Sequence, residues 1–439
     1  MKKIIFLVLL LGIAYRLYIT GNGNFYFNMD NARDMIDVRE MVVLKQIRLI
    51  GPTTSIDGVF FGPFWYYMLS IPFILSGGNP YASILMEILI WAIGGYFLLN
   101  LVNKYYGKWA FVSVTLLWIA SNFIILGTQY AFNPNPVLFL TPVFIFSLLK
   151  YIETEKTVFS LLAWFLAGTF FHFIVPVGIF MPVVIILTLF LSKKNLLRNR
   201  ALVFGLLTFG LTFLPQLIFE IRHHFFMTNN LLAYNSTSHG NLTQPIYLRA
   251  VSILRSFYDT LLPTFMNFKL FTIVMIALLF GILIKMVQIK KRPDNLTLIS
   301  LLLIFVPLIG LIPLKVNVMR WYLNAEMVAA IILVGFVISS LERYMLPAGI
   351  VFLAGVKMGR IVVFLLLLSL SIFSIKNISE YLEAAKKGAV GNSILREEIK
   401  AVDFVYQQSR GKNFKVYTYM PSVYDYPYQY LFWWYGLNK

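Results

Sequence analysis

Apolar runs of bilayer-crossing length recur along the chain, and no other feature constrains its fold so tightly. They occupy residues 3–20, 81–102, 109–128, 136–151, 157–173, 175–192, 201–219, 269–288, 296–314, 325–341 and 358–376. A helix needs about 20 apolar residues to cross the hydrocarbon core. The runs therefore predict an all-α polytopic membrane protein with about 11 transmembrane helices. Composition leads to the same place. Hydrophobic residues make up 59% of the 439 and charged residues 13%, against about 45–50% and about 25% in soluble domains. Mean hydropathy is +0.76. These values exclude a disordered, collagenous or coiled-coil chain.

Charge orients the spans. The net charge of +18 is carried by short basic clusters between apolar runs, the pattern of cytoplasmic loops rather than of a nucleic-acid surface. The clusters are Lys2-Lys3, Lys104 to Lys108, Lys150 to Lys156, Lys193 to Arg200, Lys290 to Arg292 and Arg343. The 15-residue stretch 62–76, with two prolines, is short enough to be re-entrant. If it does not cross, every cluster falls on the side of the N-terminus. Arg16 and Tyr18 occupy positions where a cleaved signal peptide would need small residues, so the first run is read as an uncleaved span. Long outer loops then follow span 1 (21–80) and span 7 (220–268). A small α/β segment, 377–439, lies outside after the transmembrane domain 1–376, with a helix at 393–410 and a strand at 413–420. The working face is extracytoplasmic.

With no cysteine and only 4 histidines, thiolate chemistry is absent and a multi-histidine metal cage is disfavoured. No phosphate-cradling glycine motif appears, which argues against an ATP-driven pump. The first outer loop holds Asp30, Asp34, Asp37, Glu40 and Asp57, 5 of the 19 carboxylates. Apolar residues from Asn31 to Ile50 recur at helical spacing, with Asp30 just before them. Asp30 is thus placed to cap the helix, to act as a general base or to hold a metal. Asp34, Asp37 and Glu40 read as a solvated helix face. Gly51-Pro52 and Gly62-Pro63 are turn signals that fold the loop back onto the membrane.

Phe219-Glu220-Ile221-Arg222-His223-His224 closes the seventh span. Its polar groups make either an interfacial Glu220–Arg222 pair or a grip on an anionic headgroup. His172, at the outer end of the fifth span, is a packing residue or a member of the same site. Asn133-Pro134-Asn135-Pro136 breaks the chain and shapes a cavity rim. Arg320-Trp321-Tyr322 is an interfacial anchor or a phosphate contact. Glu87 is an ionisable group within a span and so a functional candidate. The aromatic run YDYPYQYLFWWYG reads as an interfacial anchor, with stacking on sugar rings as the alternative.

Taken in order, MDNARD after the first span, IGPTTSIDGVFFGPFWYYML, the NPNP break, TFFHF and LPQLIFEIRHHF resemble membrane glycosyltransferases of the GT-C fold. The branch is family 39-like, similar to protein O-mannosyltransferases and the lipid A aminoarabinose transferase. Asp30 is followed by Asn31 where many relatives pair two carboxylates. Gly62-Pro63 stands near the place of the lysine-proline-proline motif. The resemblance implies transfer of a sugar from a polyprenyl-phosphate donor to an acceptor outside the cytoplasm. Asp30 would then be the general base of an inverting attack. Arg222, His223, His224 and Arg320 would bind the donor phosphate, and Asp34, Asn133, His172, Glu220 and Tyr322 would line the cavity. A divalent metal at Asp30 is the open cofactor alternative. A transporter or flippase of lipid-linked sugars is the rival reading; it predicts broken helices and ionisable groups near midplane.

Overall fold

The structure is a computed structural model that describes residues 1–192, 200–236, 245–314, 317–344, 358–388, 393–419 and 424–437. The described residues are helical throughout, with isolated β-bridges and no strand. The eleven apolar runs all become helices: α1 (Lys2–Thr20), then, after α2 (Met29–Val43) and α3 (Phe64–Ser76) of the first loop, α4 (Tyr81–Tyr106). There follow α5 (Lys108–Ala120) with α6 (Asn122–Gln129), α7 (Asn135–Thr154), α8 (Thr157–Phe173), α9 (Val175–Gly178) with α10 (Met181–Leu191), and α11 (Arg200–Thr212) with α12 (Leu214–Arg222). The second long loop holds α13 (Phe226–Ser236) and α14 (Ile246–Thr264) before α15 (Lys269–Gln288), α16 (Asn295–Leu311), α17 (Asn324–Tyr344) and α18 (Met358–Lys387). Among the described residues six helices are long and apolar enough to cross a bilayer, or eight if each bent pair is one span. The runs at 157–173, 175–191 and 295–311 form shorter apolar helices. The basic cluster at 193–199 lies outside the described residues.

Helix α17 is buried along its whole apolar window. A helix apolar on every side belongs at the centre of a bundle, and α4, α5, α7, α16 and α18 pack around it. The span α5–α6 bends by 44° at Ser121. A break in a span leaves backbone carbonyls that lipid cannot satisfy, and here buried side chains take them up. Arg16 donates to the carbonyls of Trp118 and Ile119 (3.3 and 3.4 Å), and Trp91 Nε1 donates to that of Trp118 (3.3 Å). Asn377 Nδ2 donates to the carbonyl of Ala120 (2.5 Å). The Arg16 guanidinium also lies 3.5 Å from the Trp91 ring centroid. Ser121 Oγ restarts the helix by accepting from Ile124 N.

Loops gather at two ends of the bundle. At one, Lys104 and Lys150 both pair with Glu153, and Asp294 caps α16 beside the Tyr106–Thr297 hydroxyl contact. At the other, Asn133 Nδ2 donates to the Phe173 carbonyl and Asn324 Nδ2 to that of Pro134, each at 2.8 Å. The three turns near residues 133, 172 and 320, expected on one side, therefore meet. Both ends of α3 also touch elements of this second end. Gly62, just before it, packs on His172, and the Gly78 carbonyl after it accepts from the Tyr430 hydroxyl at 2.5 Å. Its 13 residues span about 20 Å at ~1.5 Å per residue, short of the roughly 30 Å core.

The C-terminal segment contains α19 (Leu395–Ser409), where an amphipathic helix was expected, and α20 (Tyr426–Gly436). The expected strand at 413–420 is not formed over its described residues 413–419, which are exposed and have no regular structure. An alternating pattern makes a strand only beside a partner edge, and none is present there. The α/β description of this segment is corrected to α-helical. Nor is the aromatic run a free anchor. Helix α20 packs on α2 and α19, Trp433 stacks on Phe73, and the Arg39 guanidinium sits 5.2 Å from the Trp433 ring.

Candidate functional site

The first turn of α2 is built around Asn28. Its side chain accepts from the backbone of Asp30 and Asn31, while Asn31 reaches back to the Asn28 backbone, a closed capping box. Asp30 is therefore not the cap, as its position suggested, but a first-turn residue whose side chain is not used for capping. Its carboxylate favours the positive end of the helix. Asp30 Oδ1 accepts from Arg33 Nη1 at 3.1 Å, and the Tyr130 hydroxyl lies 3.5 Å from Oδ2. Burial raises the Tyr130 hydroxyl well above its ordinary range, so it stays a donor.

Arg33 holds a second carboxylate as well. Its Nε and Nη2 donate to Asp34 Oδ1 at 3.0 and 2.9 Å, while Trp65 Nε1 donates to Oδ2 at 2.8 Å. The Asp34 side chain is 1% exposed, that of Asp30 30%. Burial pushes the Asp34 carboxyl up to about 6, against the pull of Arg33 and Trp65. The solvated face expected for Asp34, Asp37 and Glu40 is overturned at Asp34, while Asp37 and Glu40 stay partly exposed and paired. Asp37 accepts from the Tyr66 hydroxyl (2.6 Å) and from Arg48 (3.1 Å), which also binds Glu40 (2.7 Å). Asp34 lies four residues before Val38 and seven before Met41, on the buried stripe of α2, where Trp65 of α3 covers it, and Tyr66 of α3 reaches Asp37 on the neighbouring side.

The Gly51-Pro52 and Gly62-Pro63 signals close a hairpin. Gly51 N donates to Phe61 O and Phe61 N to Pro52 O (2.8 and 2.9 Å), and Thr53 pairs with Phe60. Thr53 Oγ1 also accepts from Arg33 at 3.3 Å. A Cβ on Gly62 would fall 2.1 Å from His172 Nδ1, so only glycine lets the hairpin seat on this histidine. His172 is buried, its two ring nitrogens lacking hydrogen-bond partners, between the rings of Phe64 and Phe213. It supports the hairpin from behind.

On the hairpin's other flank, Phe60 packs on Phe219, and the His223 ring lies 4.3 Å from that of Phe219. Glu220 does not pair with Arg222. Its carboxylate takes the Met227 and Thr228 backbone N–H groups at the start of α13 (2.8 and 3.0 Å), a capping use at a helix N-terminus. Arg222, His223 and His224 are left exposed at the α12–α13 turn. Arg320 is exposed too, and its neighbour Trp321 packs on Phe132, which stacks on Tyr130 at 4.8 Å. An aromatic ladder thus runs from Arg320 to Asp30. Tyr322 is half-buried, and Asn133 is spent on the Phe173 carbonyl.

Arg33, Trp65, Tyr130 and Thr53 were not singled out in the sequence. Arg33 carried a signal, standing three residues after Asp30 and beside Asp34; the others depend on the fold alone. Glu326 was also unforeseen. Like Glu87, it is fully buried and has no side-chain partner among the described residues. No group of three His, Asp or Glu side chains converges as metal ligands would among the described residues, and Arg33 already stands between Asp30 and Asp34. The arrangement offers one partly exposed carboxylate, Asp30, held by Arg33, while the exposed Arg222, His223 and His224 stand beyond the hairpin and Arg320 beyond the aromatic ladder.

No protein-family model matches the chain, and no curated protein matches it in sequence. Solved structures do match. The chain superposes on the crystal structure of ArnT from Cupriavidus metallidurans bound to undecaprenyl phosphate with a TM-score of 0.66 and 12% identity, over 98% of this chain and 85% of that one. Against the same protein in the apo state the TM-score is 0.63 at 12% identity, covering 97% and 83%. The chain therefore has the GT-C fold that the ordered motifs resembled.

Proposed function

We propose that the protein is a membrane glycosyltransferase that moves a sugar from a polyprenyl-phosphate donor to an acceptor on the extracytoplasmic side of the cytoplasmic membrane. The fold supports it, since a neighbour of the same fold was solved with undecaprenyl phosphate bound. The single observation that carries it is the division of labour on α2: Asp34 is sealed by Arg33 and Trp65, while the Asp30 side chain stays partly exposed on the same support.

In the mechanism, Asp30 accepts the proton of the acceptor hydroxyl as that oxygen attacks the anomeric carbon. Arg33 and the Tyr130 hydroxyl hold the carboxylate in place. The sugar–phosphate bond breaks, and the departing phosphate takes the electron pair on the lipid carrier. No strong acid is needed, only positive charge as that oxygen develops. Arg222, His223, His224 and Arg320 are the exposed groups that supply it. One base and direct attack give inversion; a double displacement would need a second carboxylate within reach as nucleophile, and Asp34 is buried away from one.

The test uses the full chain in proteoliposomes with a panel of radiolabelled polyprenyl-phosphate sugars. At least one donor should be consumed, with release of the polyprenyl phosphate. If none is bound or consumed, the proposal fails. Glu87 and Glu326, buried inside the bundle without a side-chain partner among the described residues, favour the rival reading of a flippase. Movement of the intact donor between leaflets without cleavage would establish it instead.

A further inference from the structure

A cavity of about 570 Å³ lies away from the Asp30 cluster. Small-molecule sites typically occupy roughly 300–1,000 Å³. Its walls come from the start of α6, the α14–α15 junction and the outer part of α18, and the lining is unusual for a membrane bundle. Three carboxamides (Asn122, Asn267 and Asn377) stand with Lys376, Glu380 and Tyr381 over the apolar Met266 and Phe373. Asn377 is partly spent on the Ala120 carbonyl. Asn122, Asn267 and Tyr381 make no side-chain hydrogen bond among the described residues. Met266 and Asn267 both hold a left-handed backbone (φ 56° and 58°), a conformation that non-glycine residues adopt seldom, and this turn brings Asn267 to the cavity wall. Phe373 is fixed by stacking on Phe268 at 3.8 Å.

Carboxamides offer a donor and an acceptor side by side, which suits vicinal hydroxyls. Lys376 and Glu380 face each other across one helical turn at 3.9 Å, so the rim carries no net charge and does not select an anion. Below the rim residue Lys376, α18 exposes Leu365, Leu368 and Ile372 to the outside of the bundle, a track for an acyl or prenyl tail. The segment Asn24–Phe27 separates this cavity from Asp30. Asn24 Nδ2 donates to the Ala385 carbonyl (3.3 Å), next to the cavity residue Ala384, while Tyr26 pairs with Tyr130.

We infer that this cavity binds the hydroxyl-rich, uncharged headgroup of an amphiphilic acceptor, with the tail lying along α18. The inference rests on the transferase reading for the word acceptor, but the binding itself is measured separately. The full chain in phosphatidylcholine nanodiscs is photolabelled with dodecyl maltoside bearing a diazirine beside its headgroup, and adducts are mapped by mass spectrometry. Adducts should concentrate on residues 266–267 and 373–384. Unlabelled dodecyl maltoside should suppress them at least tenfold, and free maltose or dodecylphosphocholine should not. The exposed or half-exposed substitutions Asn122→Leu and Lys376→Leu should each lower labelling severalfold while the melting temperature holds. Labelling spread evenly over lipid-facing helices, equal suppression by dodecylphosphocholine or by maltose, or unchanged labelling in both variants would each overturn the inference. Undecaprenyl phosphate binding, measured on the same nanodiscs, separates the two ideas. Its loss with labelling intact removes the transferase reading and leaves a sugar-lipid site; its presence without labelling removes only the site.

Discussion

Asp30 and Asp34 sit one helical turn apart and share Arg33, yet they have opposite fates in substitution. Asp30 caps nothing, because Asn28 does, so Asp30→Asn should leave the melting temperature unchanged. As general base it contributes typically 10²–10⁴-fold, and turnover of whichever donor is accepted should fall by that much. A wild-type rate would move the base elsewhere. Asp34→Ala strands Arg33 and Trp65 Nε1 around a hole. Breaking a buried charge pair costs about 3–5 kcal/mol, so this variant should unfold early in a detergent melt. Equal stability to wild type would mean that Asp34 is not held as described. Since burial raises the Asp34 pKa to about 6, the folded state keeps its proton longer than the unfolded chain. Its contribution to stability is full below about 4 and is lost as pH rises through 6. Asp34→Asn should remove that slope. The spacing puts Asp34 in line with Val38 and Met41 on the stripe that is buried; what the sequence does not show is that Trp65 of α3 supplies the partner that lets a carboxylate sit there.

At the level of elements, the hairpin 51–62 is the part that couples the sealed and the exposed halves of the site, and Gly62 is its seat on α8. Gly62→Ala drives a Cβ into the His172 ring; overpacking of this kind costs about 1–3 kcal/mol and should shift the hairpin away from Arg33. Removing the ring makes room, so Gly62→Ala with His172→Ala should be more stable and more active than Gly62→Ala with the ring in place. Strictly additive effects would mean that the two do not touch. A second element-level test lies in the C-terminal segment. Burial pushes the Glu398 carboxyl of α19 up to about 8. Its protonated form favours the packed α19–α20 pair, so stability is full below about 4.5 and is lost as pH rises through 8. Protection from hydrogen exchange in α19 and α20, corrected for the intrinsic base-catalysed rate, should fall between about pH 4.5 and 8 in the wild type, and Glu398→Gln should flatten that fall. An identical profile in both would discard Glu398 as the cause.

For the whole molecule, the elements that a bilayer dictates were legible in the sequence and those that tertiary packing dictates were not. The runs 157–173 and 269–288 match α8 and α15 residue for residue, because span length and hydrophobicity are properties of the segment itself. The segment 413–419 failed as a strand because pairing depends on a neighbour, and the bridging role of Arg16 was not legible because its partners, the carbonyls of a broken helix, are about a hundred residues away. Orientation is the remaining property of the whole. The basic end with Lys104, Lys150 and Glu153 and the end carrying α2, α3 and α20 are opposite ends of the bundle, and positively charged loops stay in the cytoplasm. The chain has no cysteine, so the wild type is already the background for single-cysteine labelling. Lys108→Cys should label only from the cytoplasmic side of intact membrane vesicles, and Lys412→Cys only from the other. Ser76→Cys, at the far end of α3, tests the re-entrant helix. If α3 returns to the face it left, this cysteine labels together with Lys412→Cys. If it labels with Lys108→Cys, α3 crosses, every later loop changes side, and the cations at Arg222 and Arg320 cannot share a face with Asp30.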